Sequence, residues 1–427
     1  MKPLIIAFRI VWFVLFLLLA GTAGLMIYQV MNPGTYGIVV SLDVGEETLP
    51  FTLQYDLVDG EWVVRSSNGA SDTIATTSAP RDAITGPSFH VRFPHFDSEL
   101  VLDRRDGNHR MSGYWLKTRG DGTVARVTAT AVSPADPGAP HFEPVAGAGS
   151  PAPFAGRWSV RFSSSDDLAI GVFKADENQL ATGTFMTTTG DYRYLAGRVD
   201  GDLMRLSTFD GAHAFLFHAR MQEDGTIEGD FWSGNWWHER WTAERNPDAQ
   251  LPDMFEQTTV ADARALDDLT FKALDGTPTR VTELLNASDA PARVLYVFGT
   301  WCPNCSDAAA ELKRLKELHG DSLGVLGLAF ELTDDHERSA RQVERYRERF
   351  GSTWPILIAG LSDKAKASAE LPILDKVRSY PTTIFLNRDN EIVSVHTGFT
   401  GPATGEAFND QQRAFERIIG GLISQQP

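Results

Sequence analysis

The sequence predicts three structural parts in succession: an apolar N-terminal helix, a region of antiparallel β-structure, and a C-terminal mixed α/β domain. Residues 10–30 carry no charge. Between residues 34 and 245, short alternating runs of apolar and polar residues are separated by turn sequences such as "VDGE" and "EDGT". Beyond residue 253, apolar strand runs alternate with helical segments. A chain of 427 residues is long enough for about two to four domains.

The N-terminal apolar run is long enough to cross a bilayer. It extends from Ile10 to Val30, and its 21 residues, at about 1.5 Å each, match a hydrocarbon core of about 30 Å. A cleaved signal peptide is the alternative, since Gly21-Thr22-Ala23 has the small residues of a cleavage site. Apolar residues resume after that site, which favours an uncleaved membrane anchor within residues 1–32.

Positive charges set the expected orientation of this anchor. Lys2 and Arg9 precede the apolar run. Positive residues tend to stay on the cytoplasmic side, so the N-terminus is expected in the cytoplasm and the rest of the chain outside it. The predicted location is therefore the cell inner membrane, crossed once, with the C-terminal domains in the periplasm.

The β region contains two similar units. Segments rich in Pro, Gly, Ala and polar residues, 133–153 and 245–253, indicate linkers. They delimit β repeat 1 (34–132) and β repeat 2 (154–245), which open with the similar sequences "GTYGIVVSLD" and "GRWSVRFSSS". We interpret the pair as a tandem duplication of a unit of about 90–100 residues. We expect each unit to form its own small antiparallel sandwich or barrel, or the two units together to form one merged sheet structure.

Several residues are expected to correspond between the two units. Phe96-Asp97 in the first matches Phe209-Asp210 in the second, and Gly113 matches Gly229. The aromatic sequence "DFWSGNWWHERW" (residues 230–241) is typical of the alternating core and rim of a β-sheet, although it is also compatible with a site for a sugar or an apolar ligand.

The C-terminal part, residues 253–427, predicts a mixed α/β sheet covered on both faces. A hairpin, "TFKALDGTPTRV", is followed by the strand "RVLYVF" and a helix from Cys302 to Leu318. Further strands alternate with helices, including a short one near Lys364 to Arg378, and a helix near Gly405 to Ile423 closes the chain.

The two cysteines of the chain, Cys302 and Cys305, lie at the predicted start of a helix. Outside the cytoplasm disulfides are permitted, but a bridge this short constrains the unfolded chain little, so a redox role is the better interpretation. A helix N-terminus favours thiolate over thiol, which predicts Cys302 as the attacking nucleophile and Cys305 as the resolving thiol. Pro303 suits the first helical turn, where its missing N–H costs nothing.

The sequences "VFGTWCPNC" and "SYPTTIFLNRDNEIVSVHTGF" resemble those of TlpA/ResA-type thioredoxin-like proteins, which are membrane-tethered thiol–disulfide oxidoreductases of bacteria. The resemblance covers roughly the last 170 residues and implies a thioredoxin-like fold there. It implies disulfide-containing exported proteins as substrates and a transmembrane thiol carrier as electron donor. Cytochrome c maturation is one client pathway compatible with it.

The resemblance also assigns site residues. It places a cis-proline at Pro381, opposite the cysteine pair, and a proton-accepting glutamate at Glu331. From the residues alone, Pro381 is also compatible with a strand-edge proline and Glu331 with a carboxylate that caps the next helix. Trp301 is compatible with either shielding the cysteines or plain packing. Thioredoxin itself has a buried aspartate at the position of Tyr296, so a proton acceptor must come from elsewhere.

Three functions are compatible with these observations. The leading hypothesis is a thiol–disulfide oxidoreductase that acts as a reductant, because Asn304 adds no positive charge between the cysteines. A peroxiredoxin is disfavoured, since Gly299 stands where that family has a threonine. A ligand-binding β-repeat protein with an ancillary thioredoxin-like domain is the third. Because residues 34–245 contain no cysteine, we expect them to be dispensable for disulfide exchange.

Composition excludes or disfavours other partners. A formal net charge of −17 argues against nucleic acid, because affinity for phosphate needs clustered Lys and Arg. Two cysteines alone do not complete a zinc site, and the ten histidines show no metal-ligand spacing. The sequence therefore predicts no metal and no other cofactor.

Overall fold

The computed structural model describes residues 36–58, 61–68, 73–79, 88–104, 110–119, 122–135 and 140–424. The membrane anchor predicted within residues 1–32 lies outside them. Within these ranges, no helix combines the length and the apolar character that crossing a bilayer requires. The described residues form three sheets that follow one another along the chain.

The first sheet has eight strands, all antiparallel to their neighbours, in the order β4-β3-β2-β1-β8-β7-β6-β5. The strands are β1 (Tyr36–Asp43), β2 (Thr48–Val58), β3 (Glu61–Ser67), β4 (Thr73–Ala79), β5 (Ser88–Phe93), β6 (Ser98–Arg104), β7 (Arg110–Thr118) and β8 (Val124–Ala135). Alternate residues of β1, namely Ile38, Val40 and Leu42, are fully buried, as the period of two predicts for a sheet with one covered face. Strand β8 ends at Ala135, whereas the predicted bound of β repeat 1 is residue 132.

The second sheet closes on itself. Its strands are β9 (Gly156–Phe162), β10 (Leu168–Ala175), β11 (Leu180–Thr187), β12 (Gly190–Asp191), β13 (Leu195–Asp200), β14 (Leu203–Phe209), β15 (Ala214–Met221), β16 (Ile227–Ser233) and β17 (Trp237–Arg245). Strand β10 pairs with both β9 and β11, and β17 pairs with β9, so all strands except the short β12 form a closed antiparallel barrel. Closure leaves no sheet edge in this barrel. We call it the second barrel.

The two sheets are similar in strand order and in the place of one glycine. Their ladders follow the same order, with β1 and β8 paired in the first sheet as β9 and β17 are in the second. Gly113 and Gly229 lie on the corresponding strands β7 and β16. A Cβ atom at Gly113 would lie 1.9 Å from the Val101 carbonyl oxygen, and one at Gly229 would lie 2.4 Å from the His218 carbonyl oxygen. Both glycines therefore allow the same close approach of neighbouring strands.

The two β units share part of their cores. Phe209, at the end of β14, stacks on Phe51 of the first sheet with ring centroids 4.2 Å apart. The hydroxyl of Ser207 donates to the carbonyl oxygen of Pro50 at 2.5 Å. Apolar contact and hydrogen bonds thus fix the second barrel against the first sheet.

The third sheet is mixed, in the order β19-β18-β22-β21-β20-β23-β24. Its elements are β18 (Thr270–Lys272), β19 (Pro278–Arg280), α1 (Val281–Asn286), β20 (Ala292–Phe298), α2 (Pro303–His319), β21 (Leu323–Glu331), α3 (His336–Phe350), β22 (Ile356–Leu361), α4 (Lys364–Glu370), β23 (Thr382–Asn387), β24 (Ile392–Thr397) and α5 (Glu406–Ser424). Strands β20, β21 and β22 are parallel, and β23 is antiparallel to β20. Every residue of β20 is buried, as expected for a central strand covered on both faces.

One predicted helix is shorter than expected. The segment near Lys364 to Arg378 forms α4, which ends at Glu370. Pro372 follows closely, and a proline disfavours helical geometry in the residue before it. The chain therefore leaves the helix early and continues to the loop before β23.

Candidate redox site

The turn between β20 and α2 places the cysteine pair. Cys302 directly precedes α2, and its sulfur accepts a hydrogen bond from the backbone N–H of Cys305 at 3.2 Å. The sulfur therefore takes the place that a Ser or Asp oxygen usually occupies as N-cap. Pro303 is the first residue of the helix, where no backbone N–H is required. Both cysteines are free thiols in this structure.

The two thiols differ in their access to solvent. Cys302 retains 6% exposure and lines an open groove, whereas Cys305 is completely buried. Burial raises the pKa of the Cys305 thiol well above its usual value, and the adjacent Cys302 sulfur raises it further. Cys305 is thus held protonated and out of reach, while Cys302 faces the groove.

The loop before β23 lies against Cys302. The Tyr380–Pro381 peptide bond is cis. The Cys302 thiol donates to the Tyr380 carbonyl oxygen at 3.5 Å, and the backbone N–H of Gly398 donates to the Pro381 carbonyl oxygen at 2.8 Å. These contacts place Pro381 at the cysteine pair, where the resemblance assigned it.

Trp301 connects this loop to the central sheet. Its indole N–H donates to the Phe330 carbonyl oxygen at 2.9 Å, and its ring meets that of Tyr380 edge-on with centroids 5.6 Å apart. The ring also lines the groove beside Cys302. Trp301 therefore packs against the sheet and the Tyr380 loop and lines the same groove as Cys302.

Glu331, the last residue of β21, is buried behind the turn. Its carboxylate oxygens accept hydrogen bonds from the backbone N–H and the hydroxyl of Thr300, at 3.0 and 2.8 Å. Burial raises its pKa to about 6, while the bonds from Thr300 oppose that rise. Glu331 thus acts on the turn that carries Cys302 through Thr300, and among the described residues no hydrogen bond joins it to either sulfur.

Two tyrosines hold the first turn of α2 from behind. The hydroxyls of Tyr296 and Tyr346 both donate to the carbonyl oxygen of Cys305, at 2.6 and 2.9 Å. Tyr296 stands at the position of the buried aspartate of thioredoxin, so the side chain at this position is an uncharged aromatic ring. Tyr346 was missed by the sequence argument, although its place as an aromatic residue in the charged helix α3 indicates an inward-facing side chain.

The second barrel reaches the same turn. Residues 187–193, here called the barrel hairpin, include β12 and contact both sides of the cysteine motif. The Ser379 hydroxyl donates to the Thr189 carbonyl oxygen at 2.8 Å. Gly190 lies against Asn304 so closely that a Cβ atom would come within 1.9 Å of the Asn304 amide nitrogen. No side chain fits between the hairpin and the motif at this point.

Arg193 of the barrel hairpin bonds directly to the motif. Its guanidinium donates to the Pro303 carbonyl oxygen at 2.9 Å and to the Asp307 carboxylate at 2.5 Å. The carboxylate of Asp191 accepts from the Arg193 backbone N–H at 2.6 Å, and Asp210 lies 3.9 Å from the guanidinium. Burial raises the pKa of Asp307 to about 6, and Arg193 opposes that rise. Nothing in the sequence indicates this contact, because the two partners are far apart along the chain.

A single groove connects the cysteine motif with the open end of the second barrel. It encloses about 790 Å³ and runs from Cys302 and Tyr380 to Phe215 and Trp237. The structure therefore brings together Cys302, Cys305, Pro381 and Trp301. Glu331 bonds to Thr300, which lies two residues before Cys302 in the chain.

The sequence relatives match about a third of the chain or less. No protein-family model matches the chain. It is 26% identical over 145 residues to the thioredoxin-like protein YneN of Bacillus subtilis, covering 34% of this chain and 75% of that protein. It is 33% identical over 108 residues to the thiol-disulfide oxidoreductase ResA of Halalkalibacterium halodurans, covering 24% of this chain and about half (52%) of ResA.

Among solved structures, a DsbF homologue from Corynebacterium diphtheriae is 16% identical and matches with a TM-score of 0.27, covering 41% of this chain and 97% of that one. The sequence relatives and the geometry of the site support a thioredoxin-like fold and a thiol–disulfide oxidoreductase function in the C-terminal part of the chain.

Proposed function

We propose that this protein is a TlpA/ResA-like thiol–disulfide oxidoreductase that reduces disulfides of exported proteins through Cys302 and Cys305. The arrangement of the two thiols carries the proposal. The Cys302 sulfur lies at the N-terminus of α2 and at one end of an open groove, and Cys305 is buried one turn inside the helix.

The proposed reaction has two exchange steps. The Cys302 thiolate attacks one sulfur of a client disulfide, which forms a mixed disulfide and releases the other client sulfur as a thiolate that takes up a proton. Cys305 then loses its proton and attacks the Cys302 sulfur. The second client thiol leaves, and the Cys302–Cys305 disulfide retains the oxidising equivalent. Two electrons pass from the protein to the client, and a thiol donor must return them.

The neighbouring residues have positioning roles in this scheme. Tyr380 and Pro381 form the wall opposite the attacking sulfur. Glu331 fixes the turn before Cys302 through its two bonds to Thr300. A proton-accepting role for Glu331 in the second step is consistent with its pKa of about 6 and is part of the proposal.

The direction of transfer follows from the charges around the motif. A strong oxidant needs its reduced form stabilised, as a cation beside the attacking sulfur would do. Arg193 contacts the Pro303 carbonyl oxygen, but the carboxylates of Asp307, Asp191 and Asp210 surround its charge. Lys364 also lines the groove on the side of Cys302, but burial lowers the pKa of its ammonium group and so disfavours its charged form. We therefore expect a reductant with a potential closer to the value of about −270 mV for thioredoxin than to about −120 mV for DsbA.

Location and partners complete the proposal. The apolar run at residues 10–30 anchors the chain in the inner membrane, with the described domains in the periplasm. One cysteine pair outside the membrane cannot carry electrons across it, so a transmembrane thiol carrier re-reduces the protein. Apocytochromes awaiting haem attachment are one candidate class of client.

Reduction of insulin disulfides tests the activity. We expect turnover by the full chain with dithiothreitol as donor and a fall to the uncatalysed rate for Cys302→Ser. Leu318→Ala, an exposed apolar residue on the same helix, is the matched control and should retain wild-type turnover. Wild-type turnover by Cys302→Ser would refute the assignment, and a potential near −120 mV after equilibration with glutathione would refute the direction.

A further inference from the structure

The groove beside Cys302 has walls from two domains. One wall is the cysteine motif and the Tyr380 loop, and the other is the open end of the second barrel. The barrel hairpin joins them, through the bond of Ser379 to Thr189 and the bond of Arg193 to Pro303. These contacts fix the barrel wall in relation to the reactive sulfur.

The barrel wall carries a cluster of aromatic residues among polar ones. The aromatic residues that line the groove include Phe162, Tyr192, Phe215, Phe231 and Trp237. The rings of Phe215 and Phe231 pack edge to face at 5.3 Å, and those of Tyr192 and Phe162 stack at 5.7 Å. Trp237 stands at the rim with 48% of its surface exposed, and its indole N–H donates to Glu239 at 3.0 Å, which orients the ring. Exposed, oriented tryptophans are frequent anchors of binding surfaces.

The charges of the groove disfavour an anionic occupant. Asp167, Asp191 and Glu239 lie on the barrel side, and Lys364 lies on the side of Cys302. The three carboxyl groups outnumber the single ammonium group among these residues. A small anionic disulfide such as oxidised glutathione would meet this charge and would leave the aromatic wall uncovered.

We propose that the groove binds a polypeptide segment of the client, with a large apolar or aromatic side chain near the disulfide cysteine seated against Trp237 and Phe215. This inference rests on the proposed function, which brings a disulfide to Cys302. The volume of about 790 Å³ accommodates several residues of an extended chain. The second barrel then selects clients, and the thioredoxin-like domain carries out the exchange.

Two matched peptides test this selection. They carry the same disulfide and differ only in the residues beside the cysteine, Trp in one and Ser in the other. We expect the full chain to prefer the Trp peptide about tenfold in kcat/KM. The ratio of the two kcat/KM values should fall close to one in Trp237→Ala, and also in Leu168→Ala, which alters a groove residue on another strand. Leu318→Ala, outside the groove, should keep the wild-type ratio.

A binding measurement separates this inference from the proposed function. The same peptides with Ser in place of Cys cannot react, and calorimetric titration should show tighter binding of the Trp peptide. That result would support the groove even if no disulfide were reduced, in which case the proposed function alone would fail. Equal affinities together with equal kcat/KM values, or faster reduction of oxidised glutathione than of the Trp peptide, would overturn the inference.

Discussion

The first sheet and the second barrel share a strand order but meet the redox site in different ways. The first sheet touches the rear of the thioredoxin-like domain: Asp97 pairs with Arg338 of α3, and Pro94 accepts a hydrogen bond from Gln342 at 3.2 Å. The second barrel instead bonds to the cysteine motif itself through Arg193. The comparison indicates that two sheets of the same strand order have different contacts, one with α3 and one with the cysteine motif and its groove.

Removing the guanidinium of Arg193 should have the largest effect. Arg193→Ala leaves the carboxylates of Asp307 and Asp210 without their buried cation, which costs about 3 kcal/mol in typical cases. We expect urea unfolding to show this loss and insulin reduction to slow. Gln342→Ala, which removes the hydrogen bond to the Pro94 carbonyl oxygen of the first sheet, is the comparison and should leave insulin reduction unchanged. Equal effects of the two substitutions would remove the distinction between the two β units.

Glu331 should make stability depend on pH. Its folded pKa of about 6 lies above the ordinary value of 4.5, so the folded protein holds this proton more tightly than the unfolded chain does. The contribution is most favourable below pH 4.5 and is lost as the pH rises to about 6 and beyond, by about 2 kcal/mol. The stability of Glu331→Gln relative to wild type should therefore improve by about that amount between pH 4.5 and 7 in urea unfolding.

Glu317→Gln, at an exposed site on α2, is the control for the substitution itself and should leave the free energy of unfolding at pH 7 close to the wild-type value. The free energies of unfolding of Glu331→Gln and wild type are compared at each pH. If their difference does not change with pH, Glu331 has the same pKa in the folded and unfolded chain, which would contradict this prediction.

A chain that begins at Asp253 separates exchange from selection. The buried apolar cluster of the thioredoxin-like domain extends from Leu266 to Leu422 and includes no residue of the β units, so we expect this chain to fold. It should reduce the Ser and Trp peptides described above at equal rates, a loss of about tenfold in preference. A truncated chain that folds but reduces neither peptide would show that the second barrel is part of the catalytic site.

The smallest expected effect concerns Tyr346, through which the first sheet is connected indirectly with the cysteine motif. Helix α3, which the first sheet contacts, carries Tyr346, whose hydroxyl bonds to the Cys305 carbonyl oxygen. Tyr346→Phe removes that bond while Tyr296 keeps its own, so we expect a loss of about 1 kcal/mol in urea unfolding. Tyr296→Phe is the matched variant. A loss of several kcal/mol from Tyr346→Phe alone would show that α3 holds the motif more strongly than the geometry indicates.

Local signals predicted much of this structure. A strand, a turn and the start of a helix were predicted from the apolar run of β20, the paired cysteines and the proline after Cys302. These predictions succeeded because each element depends mainly on residues that are neighbours in the sequence. The match predicted between Gly113 and Gly229 stays an interpretation, although both glycines lie where a neighbouring strand approaches closely.

Contacts between domains could not be predicted in this way. Arg193 reaches Pro303 only because the barrel hairpin meets the motif, and that meeting depends on how two separate domains pack. The same limit explains the expectation that residues 34–245 are dispensable, which came from counting cysteines alone. Under our proposal, whether residues 34–245 are needed depends on the client. Exchange with a small disulfide needs only the cysteine motif, whereas selection of a polypeptide needs the second barrel, which forms one wall of the groove.

Trapping of a mixed disulfide tests the central claim most directly. Cys305→Ala removes the thiol that completes the reaction, so the full chain should accumulate a covalent adduct with a disulfide-containing polypeptide, located at Cys302 by mass spectrometry and released by dithiothreitol. Cys302→Ala should trap nothing, because the remaining thiol of Cys305 is completely buried. Adducts at Cys305 in the second variant, or no adduct at Cys302 in the first, would contradict the account.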